Sequence, residues 1–259
     1  MKTTLVKQAV AFLKFFANKI VDISHQLQNF FSNGSFGVAF YPFLMHPIIR
    51  GSARSIVILL SVLLSFMGVF YIFAEFVAAL FSESSLITYP RHTVLELLLP
   101  FGAVIDGKTN TFSPLYQVMN AVFSLQGLGF AIAYLAVLLQ LSRRKYWLLA
   151  LIFAVFFTIG MSLIPSSQGK MTAGGLQNLG ASLTYLFGNL AIIMAGIDIV
   201  KPKLIWLRRF SMQAGTIGVF CVLITIFFPN ILTPILERIA IYAIMIWEIL
   251  AGLAMLKRK

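Results

Sequence analysis

Eight carboxylates serve a chain of 259 residues, and two of them, Glu75 and Glu248, stand inside long apolar runs. A carboxylate placed in hydrocarbon must be paired, protonated or wetted by a cavity, so both positions read as candidate proton carriers. Glu237 and Arg238 stand side by side at the start of the last apolar run. Neutral polar residues recur beside them at helical spacing. Asn178, Ser182, Tyr185 and Asn189 fall at i, i+4, i+7 and i+11, a single stripe of one helix. Asn120, Ser124 and Tyr134 share another face, with Gln126 displaced round the wheel, and Ser61, Gly68, Tyr71 and Glu75 align on a third. Polar groups gathered in apolar walls have the composition of a small-molecule site. Serine, threonine and glycine at such positions also serve as close contacts between helices.

Other chemistry lacks its anchors. No glycine-rich loop ends in lysine followed by a hydroxyl residue, so nucleotide hydrolysis has no phosphate cradle. His25, His46 and His92 are scattered and Cys221 is the sole cysteine, which gives neither a haem pair, a zincin helix nor a disulfide. No nucleophile elbow occurs. No catalytic residue, metal ligand or cofactor is therefore assigned. An acid–base enzyme using Glu75, Asp106 or Glu237 is the weaker reading.

The elements that must position these residues follow from composition. The chain is 59% apolar and 11% charged, with a mean hydropathy of +0.92, against roughly 25% charged residues in a soluble domain. Its excess apolar surface calls for lipid as solvent. Windows of about 20 residues, enough to cross roughly 30 Å of hydrocarbon at about 1.5 Å per residue, mark six spans at 54–81, 116–141, 147–165, 179–199, 210–231 and 235–256. Pro229, Asn230 and Pro234 make the turn between the last two. The fold predicted is all-α: an integral membrane bundle of six transmembrane helices in residues 54–259. It is preceded by an amphipathic interfacial helix in residues 1–31 and a linker in residues 32–53, where glycine, serine, proline and aromatics collect.

A net charge of +12 suggests nucleic acid in a soluble protein, but here topology accounts for it and no nucleic-acid partner is expected. Sixteen of the twenty basic residues fall on the side of both termini, and only Arg91, Lys108, Lys170 and Arg238 fall on the other. The positive-inside rule then puts the N-terminus and C-terminus on the cytoplasmic side, and the aromatic-rich, cysteine-poor, lysine-biased composition suits a bacterial plasma (inner) membrane. Residues 1–31 do not read as a signal peptide, because Lys7, Lys14 and Lys19 interrupt them. Val6, Ala9, Val10, Phe12, Leu13, Phe16, Ile20, Ile23 and Leu27 share one half of a helical wheel, with Phe15 the main exception. Such a helix lies among lipid headgroups, its lysines facing anionic lipid, or docks on a membrane-protein partner.

Three ordered segments carry a family resemblance. They are Ser113 to Asn120 (SPLYQVMN) with Gln126 and Gly127 following, Gly160 to Pro165 (GMSLIP) with Leu179 to Ala181 (LGA), and Glu237 to Tyr242 (ERIAIY) with Trp247. In order and topology the chain resembles the bacterial multi-pass membrane-protein family catalogued as domain of unknown function 998 (DUF998), over roughly residues 55 to 256. The resemblance implies a six-helix fold and an outward-facing cluster of shared residues, without implying a reaction. The family pattern implies a histidine near the start of the fourth span, where this chain has Gln177 and Asn178.

The function these readings lead to is binding of a small amphiphile or lipid in an outward-facing polar pocket, with transport as an extension. Its lining is predicted to be Asn120, Gln126, Ser166, Asn178, Ser182, Tyr185, Glu237 and Arg238. The alternative is a non-enzymatic interaction or protective subunit that binds another membrane protein or an envelope-targeting peptide through the N-terminal helix and the long loop. The topology has a direct test. A cytoplasmic-folding fluorescent reporter fused after Lys259 is expected to fluoresce, and alkaline phosphatase fused after Lys170 to be active. Phosphatase activity after Lys259 but not after Lys170 would invert the orientation.

Overall fold

The computed structural model describes residues 2–32, 34, 38–39, 46–82, 89–102, 104–105, 108–109, 114–141, 146–166, 175–199, 201–229 and 231–257. Among them run seven helices: α1 (Lys2–Ser32), α2 (Pro47–Leu80), α3 (Tyr116–Leu141), α4 (Trp147–Ser166), α5 (Leu176–Asp198), α6 (Ile205–Phe227) and α7 (Thr233–Leu256). Helices α2 to α7 are each long and apolar enough to cross a membrane. The protein is an all-α, multi-pass membrane bundle of six transmembrane helices preceded by an amphipathic helix. Neighbours run antiparallel, so α2 starts and α7 ends at one end of the bundle, called here the terminal end; the opposite end is the far end.

Helix boundaries depart from the expected spans for local reasons. Helix α2 begins at Pro47, so the last part of the expected linker is helical. Proline at the first position satisfies a helix start rather than breaking it, because its missing N–H is one that would have no partner there. The resulting 34 residues span about 51 Å, well beyond a hydrocarbon core of about 30 Å. Helix α5 starts at Leu176 behind Gly175, three residues early. Helix α6 starts at Ile205 because the 3-10 turn Pro202–Leu204 runs directly into it, and it stops at Phe227 ahead of Pro229. Arg208 and Arg209 thus belong to the helix.

Small residues let the helices approach closely, as lipid-embedded packing requires. Gly160 of α4 faces the backbone of Gly180 in α5, and Gly252 of α7 faces Ser61 and Ser65 of α2. Asn189 ties three helices: its Nδ2 donates to Tyr185 O at 2.7 Å and to Ala240 O at 3.0 Å. Its amide also fills the space where a side chain on Gly218 would begin. Tyr134 Oη donates to Ala191 O at 2.6 Å, and Trp247 Nε1 to Ser211 Oγ at 2.8 Å. Aromatic rings fill the middle of the bundle, with Phe130 against Phe157 at 4.3 Å and Tyr134 against Trp247 at 5.4 Å between centroids.

Helix α1 packs on α4 and buries Ile20 and Ser24, while Phe12, Phe15, Phe16, Phe30 and Phe31 stay exposed. Between α2 and α3 the chain makes two 3-10 turns, Tyr89–Arg91 and Val94–Leu98, and a short antiparallel pairing of Val104–Ile105 with Lys108–Thr109.

Gly218→Ala drives a methyl group into the Asn189 amide and is expected to cost about 1–3 kcal/mol, read as a lower melting temperature in detergent. Gly51→Ala, where a new side chain meets nothing within 4 Å, should leave the melting temperature unchanged or raise it slightly.

Candidate functional site

The far end of the bundle is built round a buried cation. Arg238, in the second turn of α7, directs Nε to Glu75 Oε1 of α2 at 2.8 Å. The arginine side chain is 9% exposed and the glutamate 1%. Glu75 lies five residues before the end of α2 and Arg238 five after the start of α7; antiparallel packing therefore brings them to equal depth. Arg238 Nη1 donates to His92 O at 2.6 Å and makes longer contacts with Pro90 O and Pro234 O, both at 3.4 Å. One side chain thus joins two transmembrane helices and the loop between α2 and α3.

Residues 89–102 of that loop lie over the end of the bundle like a lid. Thr93 caps the second 3-10 turn, its Oγ1 accepting from Glu96 N at 3.3 Å. His92 Nδ1 lies 2.6 Å from Glu96 Oε2 on the outer side. Val94, Leu97 and Leu98 insert into the bundle and are buried. Asn120 Nδ2 of α3 donates to Leu98 O at 3.2 Å, and Gln177 Nε2 of α5 to Leu95 O at 3.4 Å. Glu237 accepts a hydrogen bond from the backbone N–H of Val94.

Beneath the lid, three polar atoms from three helices are buried with no hydrogen-bond partner among the described residues: Tyr71 Oη of α2, Tyr185 Oη of α5 and Glu237 Oε2 of α7. Tyr71 lies within electrostatic reach of Glu75, Tyr185, Tyr242 and Arg238, and Tyr185 within reach of Glu237, Glu75 and Arg238. The five residues Tyr71, Glu75, Tyr185, Glu237 and Arg238 form one buried polar cluster, called here the compartment. A buried polar group without a partner costs about 1–3 kcal/mol, and such groups in a native fold call for an occupant or a role. Two phenols can donate to an anionic or carbonyl oxygen, and the open carboxylate oxygen can accept from a hydroxyl or ammonium group.

A second polar pair lies deeper. Gln126 Nε2 of α3 donates to Glu248 Oε2 of α7 at 2.9 Å and contacts Met245 Sδ at 3.1 Å. Both side chains are fully buried, and each Oε1 has no hydrogen-bond partner among the described residues. Gly68 of α2 permits this approach, since a side chain there would strike the Met245 carbonyl and the stem of Glu248.

The predicted lining is divided between these places. Tyr185, Glu237 and Arg238 meet at the far-end compartment and are joined by Glu75. Asn120 holds the lid, and Gln126 belongs to the deeper pair with Glu248. Asn178 and Ser182 are exposed on the surface of α5, where Ser182 Oγ donates to Asn178 O at 2.9 Å; they do not join the compartment. The side chain of Ser166 and all of Asp106 lie outside the described residues. Tyr71 and Glu75 are the compartment residues missing from the predicted lining; Glu75 reads from the sequence as a proton carrier, and the i, i+4 spacing of Tyr71 from it marks the tyrosine. Among the described residues no three His, Cys, Asp or Glu side chains gather as a metal-binding group. No family model, curated protein or solved structure matches the chain, so the functional reading rests on this geometry.

Removing one member of a buried ion pair strands the other, at about 3–5 kcal/mol. Arg238→Leu and Glu75→Leu are each expected to lose that much in detergent unfolding. The double variant should recover a large part of the loss, a coupling that a double-mutant cycle reads directly. Strictly additive losses would mean that the two charges do not interact.

Proposed function

We propose that this protein binds a small amphiphile at the far end of its bundle, its polar head in the compartment of Tyr71, Tyr185, Glu237 and the Arg238–Glu75 pair. The single observation behind this reading is that three helices each bury, under a hydrogen-bonded loop, a polar atom with no partner among the described residues. The compartment offers two hydroxyl donors and one acceptor oxygen beside the Arg238–Glu75 pair, with the apolar Val94, Leu97 and Leu98 of the loop buried next to it, a donor pattern suited to a polar headgroup. With the orientation expected from charge asymmetry, the site faces outward. Binding is favoured over transport because packed rings of Phe123, Phe130, Tyr134 and Trp247 fill the bundle below the site. The Gln126–Glu248 pair lies within that packed region and is where a proton would be held if the bundle rearranged to carry its ligand across.

A second reading, an interaction subunit, draws support from α1, whose five exposed phenylalanines need lipid or a protein surface. One experiment separates the two. Protein released in mild detergent from its own membranes is examined by native mass spectrometry, beside Tyr71→Phe/Tyr185→Phe and a chain lacking residues 1–32. Binding at the compartment predicts an adduct of defined mass that survives loss of α1. In the double phenylalanine variant, which loses two hydroxyls but keeps both rings, its occupancy should fall about tenfold or more. Equal occupancy in that variant, or bulk lipid alone in every form, would overturn the assignment. A protein partner lost with residues 1–32 would favour the interaction subunit.

A further inference from the structure

The terminal end carries a concavity of about 550 Å³, bounded by the start of α2 and the ends of α3 and α7. Its volume lies within the range of small-molecule sites, about 300–1,000 Å³. Arg50 and Arg54 line it one turn apart on the same face of α2, and Val57 and Ser61 continue that face inward. Gln140 closes one wall and Met255 and Leu256 another. From Arg50 to Ser61 the groove follows about 16 Å of helix. Its floor is sealed where Gly252 packs against Ser61 and Ser65.

The charge in this groove is unbalanced. Among the described residues no acidic side chain lines it, and two arginines at i, i+4 repel each other by a few tenths of a kcal/mol on a bare helix. Lys201, outside the lining, donates its Nζ to the Gln140 carbonyl at 2.8 Å. Both arginines are exposed, so their guanidinium groups can turn toward a shared anion, and planar donor forks suit phosphate oxygens. Below the arginines the lining is mostly apolar, with Ala53, Val57, Ile58, Met255 and Leu256, side chains suited to an acyl chain. Cation above and hydrocarbon below is the layout of a lipid anion at its interface.

We infer that the groove between α2, α3 and α7 at the terminal end is a binding site for an anionic phospholipid, its phosphate held by Arg50 and Arg54 and an acyl chain lying along Val57 and Met255. This site is separate from the far-end compartment and stands whether or not that compartment binds an amphiphile. The charge asymmetry of the chain assigns this end to the cytoplasmic leaflet, where anionic lipid concentrates.

The test uses the full chain delipidated in detergent and titrated with phosphatidylglycerol or phosphatidylcholine, the bound lipid counted by native mass spectrometry. One phosphatidylglycerol should be retained at least fivefold over phosphatidylcholine. Arg50→Gln/Arg54→Gln should abolish that preference, and Val57→Trp should abolish it by filling the groove while leaving both charges. Arg208→Gln/Arg209→Gln, an equal loss of charge on α6, should leave it intact. Millimolar inorganic phosphate should not displace the lipid. The inference is overturned if the arginine variant keeps its preference, if the α6 variant loses it equally, or if phosphate alone binds in its place with the same dependence on Arg50 and Arg54.

Discussion

A guanidinium brought into the apolar part of a membrane protein must find partners for its N–H groups or it will not stay there. Arg238 meets that constraint with a carboxylate from another helix and carbonyl oxygens from a loop and from its own first turn. Each of those partners has to arrive at one depth and one angle. The pair therefore fixes the register of α2 against α7 and holds the loop onto the bundle. Burial of two charges is a poor source of net stability, so what this arrangement contributes is position: the phenols and the Glu237 carboxylate are brought round a charge that cannot move.

The six spans were legible because length and apolarity are properties of each segment alone. So was the amphipathic character of α1, since a wheel needs no neighbour. Pairings between segments were not. A helical wheel gives the angle of Glu75, Gln126, Arg238 or Glu248 but not which face of which helix stands opposite, and that knowledge separates an outward pocket from two distinct polar pairs. Depth along the helix held part of the answer, since Glu75 and Arg238 lie equally far from the far end. The stripe on α5 shows the limit of angle. Asn178, Ser182, Tyr185 and Asn189 do line up, but the buried face of α5 is centred about a quarter turn away from them. They lie on its flank, which α7 covers at Asn189 and leaves open at Asn178.

The two ends of the bundle solve opposite problems with the same helices. At the far end α2 and α7 meet through charge and are roofed by a loop; at the terminal end they meet through Gly252, Ser61 and Ser65 and then part. Past that contact α2 continues for more than ten residues toward Pro47, while α7 ends four residues after Gly252. The groove at Arg50 and Arg54 thus needs the full length of α2, which the linker-like composition before residue 54 concealed.

The carbonyl oxygens of Pro90 and His92 give the lid a kinetic meaning. Hydrogen bonds to a charged donor contribute about 1.5–3 kcal/mol each, and lifting the loop breaks the His92 bond outright and the longer Pro90 contact with it. At about 1.4 kcal/mol per tenfold in rate, that slows opening by roughly one to three orders of magnitude. A molecule beneath the loop would leave on the timescale of this opening, and would enter on it too. Residence time and affinity are then set by different residues: the first by the grip of Arg238 on a loop backbone, the second by the hydroxyls and carboxylate that the loop conceals.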